Sequence, residues 1–256
     1  MKKDDKSDPF WITEDGRAVY RGVPVAISGK EVGLHLRLKL LENVKLGKTI
    51  LSVGCGLATD LNALGRANCT TLGIDPERKF LDKGKKKNNA DNLIQGIGEQ
   101  LPLADNSIDL VLLFEVLEHV INPEETIREL HRVLKPSGCL FVTVPNKFYF
   151  VETHGAKICN TTIFLAGVGV PFFSMCPTFI RKKFEKARIF DQAAIMLLLR
   201  SNRFDPFRME YLMPPLDILK QTSLTLSLGK CLFRLSKIPV VKMFGANIMV
   251  LSRKRG

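Results

Sequence analysis

Ile50-Leu51-Ser52-Val53-Gly54-Cys55-Gly56-Leu57-Ala58-Thr59-Asp60-Leu61 is the stretch on which the fold turns. Four apolar or small residues make a buried strand. Gly54 and Gly56 let the backbone turn sharply beside a ligand, and helical spacing begins at Leu57. A second apolar run ends in Gly73-Ile74-Asp75, which places a carboxylate at the tip of the next strand. A carboxylate there can accept hydrogen bonds from both hydroxyls of a ribose lying across the glycine turn. The pair of segments therefore predicts a site for an adenosine derivative. Taken alone, each piece also has a plain structural use: the glycines shape a turn, and Asp75 before Pro76 can cap a helix with proline at its first position.

Residues just past the turn limit the phosphate content of the ligand. A dinucleotide fingerprint G-x-G-x-x-G needs glycine at position 59, where Thr59 stands, and no G-x-x-x-x-G-K-[ST] loop occurs. Further segments complete an ordered set: Gly98-Glu99-Gln100-Leu101-Pro102, then Phe114-Glu115-Val116-Leu117-Glu118-His119-Val120, then Leu130-His131-Arg132-Val133-Leu134-Lys135-Pro136-Ser137-Gly138. In this order and spacing they resemble the class I S-adenosylmethionine-dependent methyltransferases, in the small-molecule and lipid branch that includes quinone-biosynthesis enzymes (type 11). The resemblance covers about residues 49–146, with a weaker echo to the C-terminus.

That resemblance implies S-adenosylmethionine as cofactor and a site built from Ser52, Gly54, Cys55, Gly56, Asp75, Pro76, Gly98, Glu99 and Phe114. Two positions depart from the family pattern. Ser52 replaces the acid of the first motif, which helps organise the methionine amino group, and Ile97 stands where an acid often faces the adenine amino group. Adenine recognition would then lean on the backbone of Gly98 and on Glu99. Ala58 replaces the third glycine, a mild change.

Around this core the pattern alternates. Strands are expected near 49–53, 70–74, 92–95, 108–113 and 138–144, with helices near 57–65, 77–87 and 123–134. A helix at 31–44, with Val32, Leu36, Leu40 and Val44 at four-residue spacing, follows a frayed N-terminal tail; family helices in this place cover the cofactor. Further on, 191–201 and 216–236 read as helices, and 207–213 and 244–252 as strands. Lys83-Gly84-Lys85-Lys86-Lys87 ends the second helix, where cations favour its dipole. The expected architecture is a Rossmann-like, doubly wound α/β fold: a mostly parallel, seven-stranded sheet with helices on both faces and an apolar insertion after the fifth strand. Four regions result: a tail and covering helix (1–48), a cofactor-binding core (49–146), an apolar and basic insertion (147–190) and a segment that completes the sheet (191–256).

The 256 residues are enough to bury a full core in one such domain. Six cysteines without a C-x-x-C pair, and only four histidines, suggest neither a zinc site nor a disulfide scaffold. Buried, reduced thiols and a charged N-terminus without an apolar signal core point to the cytoplasm. The net charge of +12 lies wholly in the later part: residues 1–146 carry 20 basic and 20 acidic side chains, residues 147–256 carry 18 and 6. Such a surface suits nucleic acid, an anionic membrane or a phosphorylated substrate, or merely solubilises the chain.

Residues 158–180 hold 23 residues without a charge and are followed by Arg181-Lys182-Lys183. That length could span a bilayer, but one crossing would separate strands of the same sheet, and Gly167, Gly169, Pro171 and Pro177 break a continuous helix. An interfacial segment at the inner membrane face, or a buried lid, fits better.

Methyl transfer from a sulfonium is an in-line displacement that asks mainly for alignment and a dry pocket. For a hydroxyl acceptor a base helps; Glu115 and His119 near the fourth strand's end and His154 in the insertion are the candidates, with Tyr149 and Glu152 close by in sequence. Neither an Asn/Asp-Pro-Pro-Tyr/Phe signature nor a Pro-Cys nucleophile is present, and no aromatic and basic interleaving suggests a base-stacking platform. These absences argue against a nucleic-acid substrate and favour a small or lipophilic acceptor: a quinone precursor, an isoprenoid lipid or a lipid-linked sugar. An RNA or protein methyltransferase, and a non-catalytic binding module that keeps the fold, are the competing readings.

Overall fold

A computed structural model describes residues 37–64, 69–149, 187–212 and 238–256, with short pieces at 10–12, 18–20, 23–24, 151–152, 156–158, 161–163, 170–171, 173–176, 178–181 and 183. Its centre is a seven-stranded sheet, here numbered β1 (Thr49–Val53), β2 (Thr70–Asp75), β3 (Asn92–Gln95), β4 (Ile108–Phe114), β5 (Leu134–Pro145), β6 (Phe204–Leu212) and β7 (Asn247–Lys254). The spatial order is β6-β7-β5-β4-β1-β2-β3. All strands run parallel except β7, which pairs antiparallel with both β5 and β6. The order reverses between β1 and β4, the point at which open α/β sheets form their ligand crevice.

Two faces of packing hold the sheet. Leu51, Val53, Val111, Leu113, Leu140 and Val142 meet Ile127, Leu130 and Val133 of α3 (Pro123–Val133) and Ile195 and Leu199 of α4 (Gln192–Ser201). On the opposite face Ile50, Leu110, Leu112 and Phe141 meet Leu61 of α1 (Thr59–Leu64) and Leu40 and Leu41. Burial on both faces explains why the central strands read as near-continuous apolar runs. The helix α2 (Arg78–Lys86) carries Lys83, Lys85 and Lys86 in its last turn, as its sequence suggested.

Several boundaries moved for physical reasons. The sixth strand begins at Phe204 rather than 207, because it lies on the sheet edge, where Pro206 costs no ladder bond and the register shifts past it. Residues 37–39 are helical, the described part of the expected 31–44 helix, and tight turns replace it from Leu40 onward, with the Leu40, Leu41 and Val44 N–H groups donating to carbonyls three residues back. Within the expected tail, Phe10–Ile12, Ala18–Tyr20 and Val23–Pro24 form a small antiparallel ribbon. The described pieces of residues 147–190 include two short antiparallel pairs, Ala156–Ile158 with Thr161–Ile163 and Val151–Glu152 with Val170–Pro171, then a helical turn at Thr178–Arg181. Among the described residues no helix is long and apolar enough to cross a membrane. The expected 216–236 helix lies outside the described residues, as do Val32 and Leu36.

The loop carrying residues 98–106 is fixed by one cation. Arg132 on α3 donates to the Leu101 and Leu103 carbonyls at 3.0 and 2.8 Å, to Asp105 at 2.6 Å and to both oxygens of Glu129 at 2.8 Å. Glu129 in turn accepts the Leu101 N–H at 2.9 Å. Hydrogen bonds from Arg132 hold the Glu129 carboxyl below its ordinary value. A depressed carboxyl contributes stability above its unfolded value and loses it as pH falls through the folded one. Glu129→Gln should therefore lower Tm at neutral pH by about 2–4 °C, and the difference should vanish near about pH 3; a gap undiminished in acid, measured by thermal melts across pH, would remove the ion pair as its cause.

At the end of β1 the chain passes through three left-handed residues, Gly54, Gly56 and Ala58, with φ of 66°, 54° and 54°. Glycine adopts this region freely, but for alanine it costs about 1–2 kcal/mol. Ala58 is also fully buried, so no rearrangement toward solvent relieves it. Relief at Ala58→Gly is partly offset by the larger unfolded-state entropy of glycine. A net gain of up to about 1 kcal/mol, read as a Tm rise of about 2–4 °C, is expected; a fall in Tm would show that the Ala58 methyl packs well enough to outweigh its backbone strain.

Candidate cofactor site

Sheet parity sets the site's layout. Ile50 and Ser52 point to the α1 face of β1, so the Ser52 hydroxyl meets the first turn of α1, where it donates to Asp60 at 2.5 Å. A Cβ built on Gly54 would fall 2.3 Å from Val116 Cγ2, so this glycine is required by the neighbouring β4 loop. At Gly56 the same test meets nothing within 4 Å. The backbone there borders open space, as a ligand-bearing turn must. Asn89 donates to the Leu57 carbonyl at 2.6 Å and steadies the far side of the turn.

Asp75 closes the turn from β2. One carboxylate oxygen accepts the Gly56 N–H at 2.8 Å, and the other accepts the Glu77 N–H at 2.9 Å. Each oxygen keeps a second lone pair for a further donor. Asp75 is not the cap of α2; that position is Glu77, and the Pro76 carbonyl is instead held by Gln95 Nε2 at 2.9 Å. The Asp75-Pro76 corner is thus a loop braced on both sides beside Gly56. Cys55 lies between Asp60 and Asp75; burial, and then these two charges, push its thiol up, so it is no nucleophile.

Asp60 escaped the sequence reading. Burial raises its carboxyl, against the Ser52 hydroxyl and the Leu61 N–H, which favour the ionised form. The missed signal is an acid eight residues after a motif position that lacks one. Arg37 also escaped notice. Its guanidinium lies 5.4 Å from the Phe114 ring centroid and 3.1 Å from a Glu115 oxygen, and acts on Asp60 at longer range. Phe114 is braced edge-on against Phe141 at 4.9 Å.

Glu115 sits in the left-handed region with φ of 57°, at the end of β4. Its carboxylate accepts from Thr143 Oγ1 at 2.6 Å and Asn247 Nδ2 at 2.7 Å, tying three strand ends together with Arg37. His119 is half exposed, its Nε2 3.8 Å from Glu118 Oε1, and Glu118 is buried. Gly98 lies against Thr126 and Val53, while Glu99 turns its carboxylate to the Ile121 and Asn122 N–H groups at 2.8 and 3.3 Å, bracing the start of α3. Ile97 is half exposed beside them. Tyr149 is buried, its hydroxyl pushed up to about 12 by that burial. His154 lies outside the described residues, and of Glu152 only the backbone is described.

The donors and acceptors fit an adenosyl sulfonium amino acid: a carboxylate with spare lone pairs at β2, a bare backbone at Gly56, and opposite charges toward β4. Ser52, Gly54, Cys55, Gly56, Asp75 and Pro76 are gathered at one end of the crevice and Phe114 with Glu115 at the other, while the Glu99 carboxylate faces the α3 cap.

Known proteins resemble this chain over the same core. Residues 51–142 match the family model described as a methyltransferase domain. The mitochondrial ubiquinone biosynthesis O-methyltransferase of Rattus norvegicus is 34% identical over 109 residues, which are 40% of this chain and 32% of that protein. The ubiquinone biosynthesis O-methyltransferase of Pseudomonas paraeruginosa is 30% identical over 122 residues, 43% and 51% of the two chains. This chain thus spans about a third to a half of the curated relatives it matches. Among solved structures, an S-adenosylmethionine-dependent methyltransferase from Mesorhizobium loti aligns with a TM-score of 0.56 at 18% identity, over 90% of this chain and all of that one, which speaks for the fold. With the turn, the Asp75 corner and the sheet order in place, residues 51–142 are a methyltransferase domain of the class I, S-adenosylmethionine-dependent kind (type 11).

Proposed function

We propose that the protein transfers a methyl group from S-adenosylmethionine to a small or lipophilic acceptor. The observation that supports this most is the open backbone at Gly56 beside Asp75, whose two oxygens are each held by one amide and each keep a free lone pair. When bound, the cofactor supplies an electrophilic methyl on a positive sulfur. The chain's own part is then to align the acceptor, exclude water and take up a proton if the acceptor is a hydroxyl. Glu115, the first candidate base, is also a bracket between strand ends: Arg37 and Thr143 occupy its Oε1, and Oε2, held by Asn247, keeps one lone pair for a proton. His119, half exposed beside the buried Glu118, is better placed to pass a proton to solvent. His154 keeps its place as a candidate from the sequence alone.

Three features support a lipophilic acceptor presented at an anionic surface: the uncharged 158–180 stretch, the basic excess of 147–256, and the similarity to O-methyltransferases of ubiquinone biosynthesis. Exposed Met175 and Phe179 lie within that stretch.

Calorimetric titration with S-adenosylmethionine and S-adenosylhomocysteine tests the cofactor half. Micromolar binding weakened at least about tenfold by Asp75→Ala, a loss of about 1.4 kcal/mol, is the expected outcome; no binding by the wild type would overturn the proposal. Methyl incorporation into polyprenyl phenols but not into tRNA or protein is expected for the acceptor half, and the reverse pattern would overturn it.

A further inference from the structure

Asp75 and its two amides account for the β2 side of the crevice, but Asp60, which follows the turn out of β1, is under-compensated. Its carboxylate is buried, and its described partners are neutral donors alone: the Ser52 hydroxyl at 2.5 Å, the Leu61 N–H at 2.9 Å and its own backbone N–H. Among the described residues no lysine or arginine forms an ion pair with it; Arg37 acts only at a distance. A buried carboxylate in such surroundings is costly unless a cation completes it. Arg37 shows the complementary deficit. Its Nε is buried and meets no acceptor among the described residues, although its Nη2 reaches Glu115 and its plane lies near Phe114.

Strand order gives these two deficits a direction. Asp75 belongs to β2, Asp60 follows the turn out of β1, and Phe114 and Glu115, which hold Arg37, lie at the tip of β4. A ligand with its ribose at Asp75 crosses the Gly54–Gly56 turn and brings its other end to Asp60 and Arg37. That end of S-adenosylmethionine is a zwitterion, and the order of charges on the protein is its complement.

We propose that Asp60 and Arg37 together hold the amino-acid end of the cofactor, Asp60 receiving the α-ammonium and Arg37 the α-carboxylate. Position 52 carries a serine, so the acid has moved from the strand to the first turn of α1, where the Ser52 hydroxyl orients it. The Arg37 Nε–H gains its acceptor in the same event. This inference rests on the cofactor assignment above.

The test compares two ligands by calorimetry: S-adenosylhomocysteine, which carries the zwitterion, and 5′-methylthioadenosine, which keeps adenosine and sulfur but lacks it. Asp60→Asn and Arg37→Gln should each weaken S-adenosylhomocysteine about tenfold or more and leave 5′-methylthioadenosine within about twofold. The second ligand reports whether each variant still folds around the adenosine. Equal losses for both ligands, or no loss for S-adenosylhomocysteine, would overturn the proposal while leaving the cofactor assignment standing. A wild type that binds neither ligand defeats both.

Discussion

A parallel strand buried on both faces must end by handing its chain to a helix without covering its own tip, and here that is solved by a left-handed turn pinned by a carboxylate. Gly54 and Gly56 take up backbone angles that side chains resist, and Asp75 reaches across from the neighbouring strand to hold the Gly56 amide. If the turn were straightened, α1 would lose its seat on the sheet and the crevice its floor. The same carboxylate also holds the Glu77 amide, so one side chain both ties the end of β1 to β2 and fixes the corner that leaves β2. This is why a single side chain can be both a structural bracket and a ligand-binding group: its amide bonds consume half its accepting capacity.

Charge is distributed along the crevice in a way that the sheet order makes intelligible. Carboxylates at 75, 60 and 115 stand at or just beyond the ends of three adjacent strands, Asp60 in the first turn of α1, and each is compensated differently: by amides, by a hydroxyl with an adjacent amide, and by a network of Arg37, Thr143 and Asn247. Full compensation at Glu115 makes it stiff, since moving its charge would leave a largely buried guanidinium and two strand ends without a partner. Partial compensation at Asp60 makes it receptive. The two acids therefore play different parts, although the same arginine acts on both, on Glu115 in contact and on Asp60 at a distance.

Much of this was legible in the chain. The order of β1 to β5 and their helices followed from apolar runs and glycines, because burial on both faces writes itself into composition. The Asp75 corner was visible because a carboxylate at the end of an apolar strand has few other uses. Edge position was not visible, so the sixth strand is expected only from 207, whereas the edge strand begins at Phe204 and runs through Pro206. Asp60 was hidden by its place in an amphipathic helix, where an acid in the first turn reads as an ordinary favourable charge; only the fold shows Ser52 beneath it. Glu99 illustrates the converse: its sequence position suggested a ligand contact, but the amides at the head of α3 claim its carboxylate.

The central claim is that the crevice between β1, β2 and β4 is a single binding track, with the ribose at one end and an amino acid at the other. A crystal structure with S-adenosylhomocysteine tests it most directly. The account predicts ribose hydroxyls within hydrogen-bond distance of Asp75, the sulfur above Gly56, and the ligand ammonium at Asp60. A ligand seated elsewhere, or one whose ribose leaves Asp75 bonded only to the Gly56 and Glu77 amides, would contradict it.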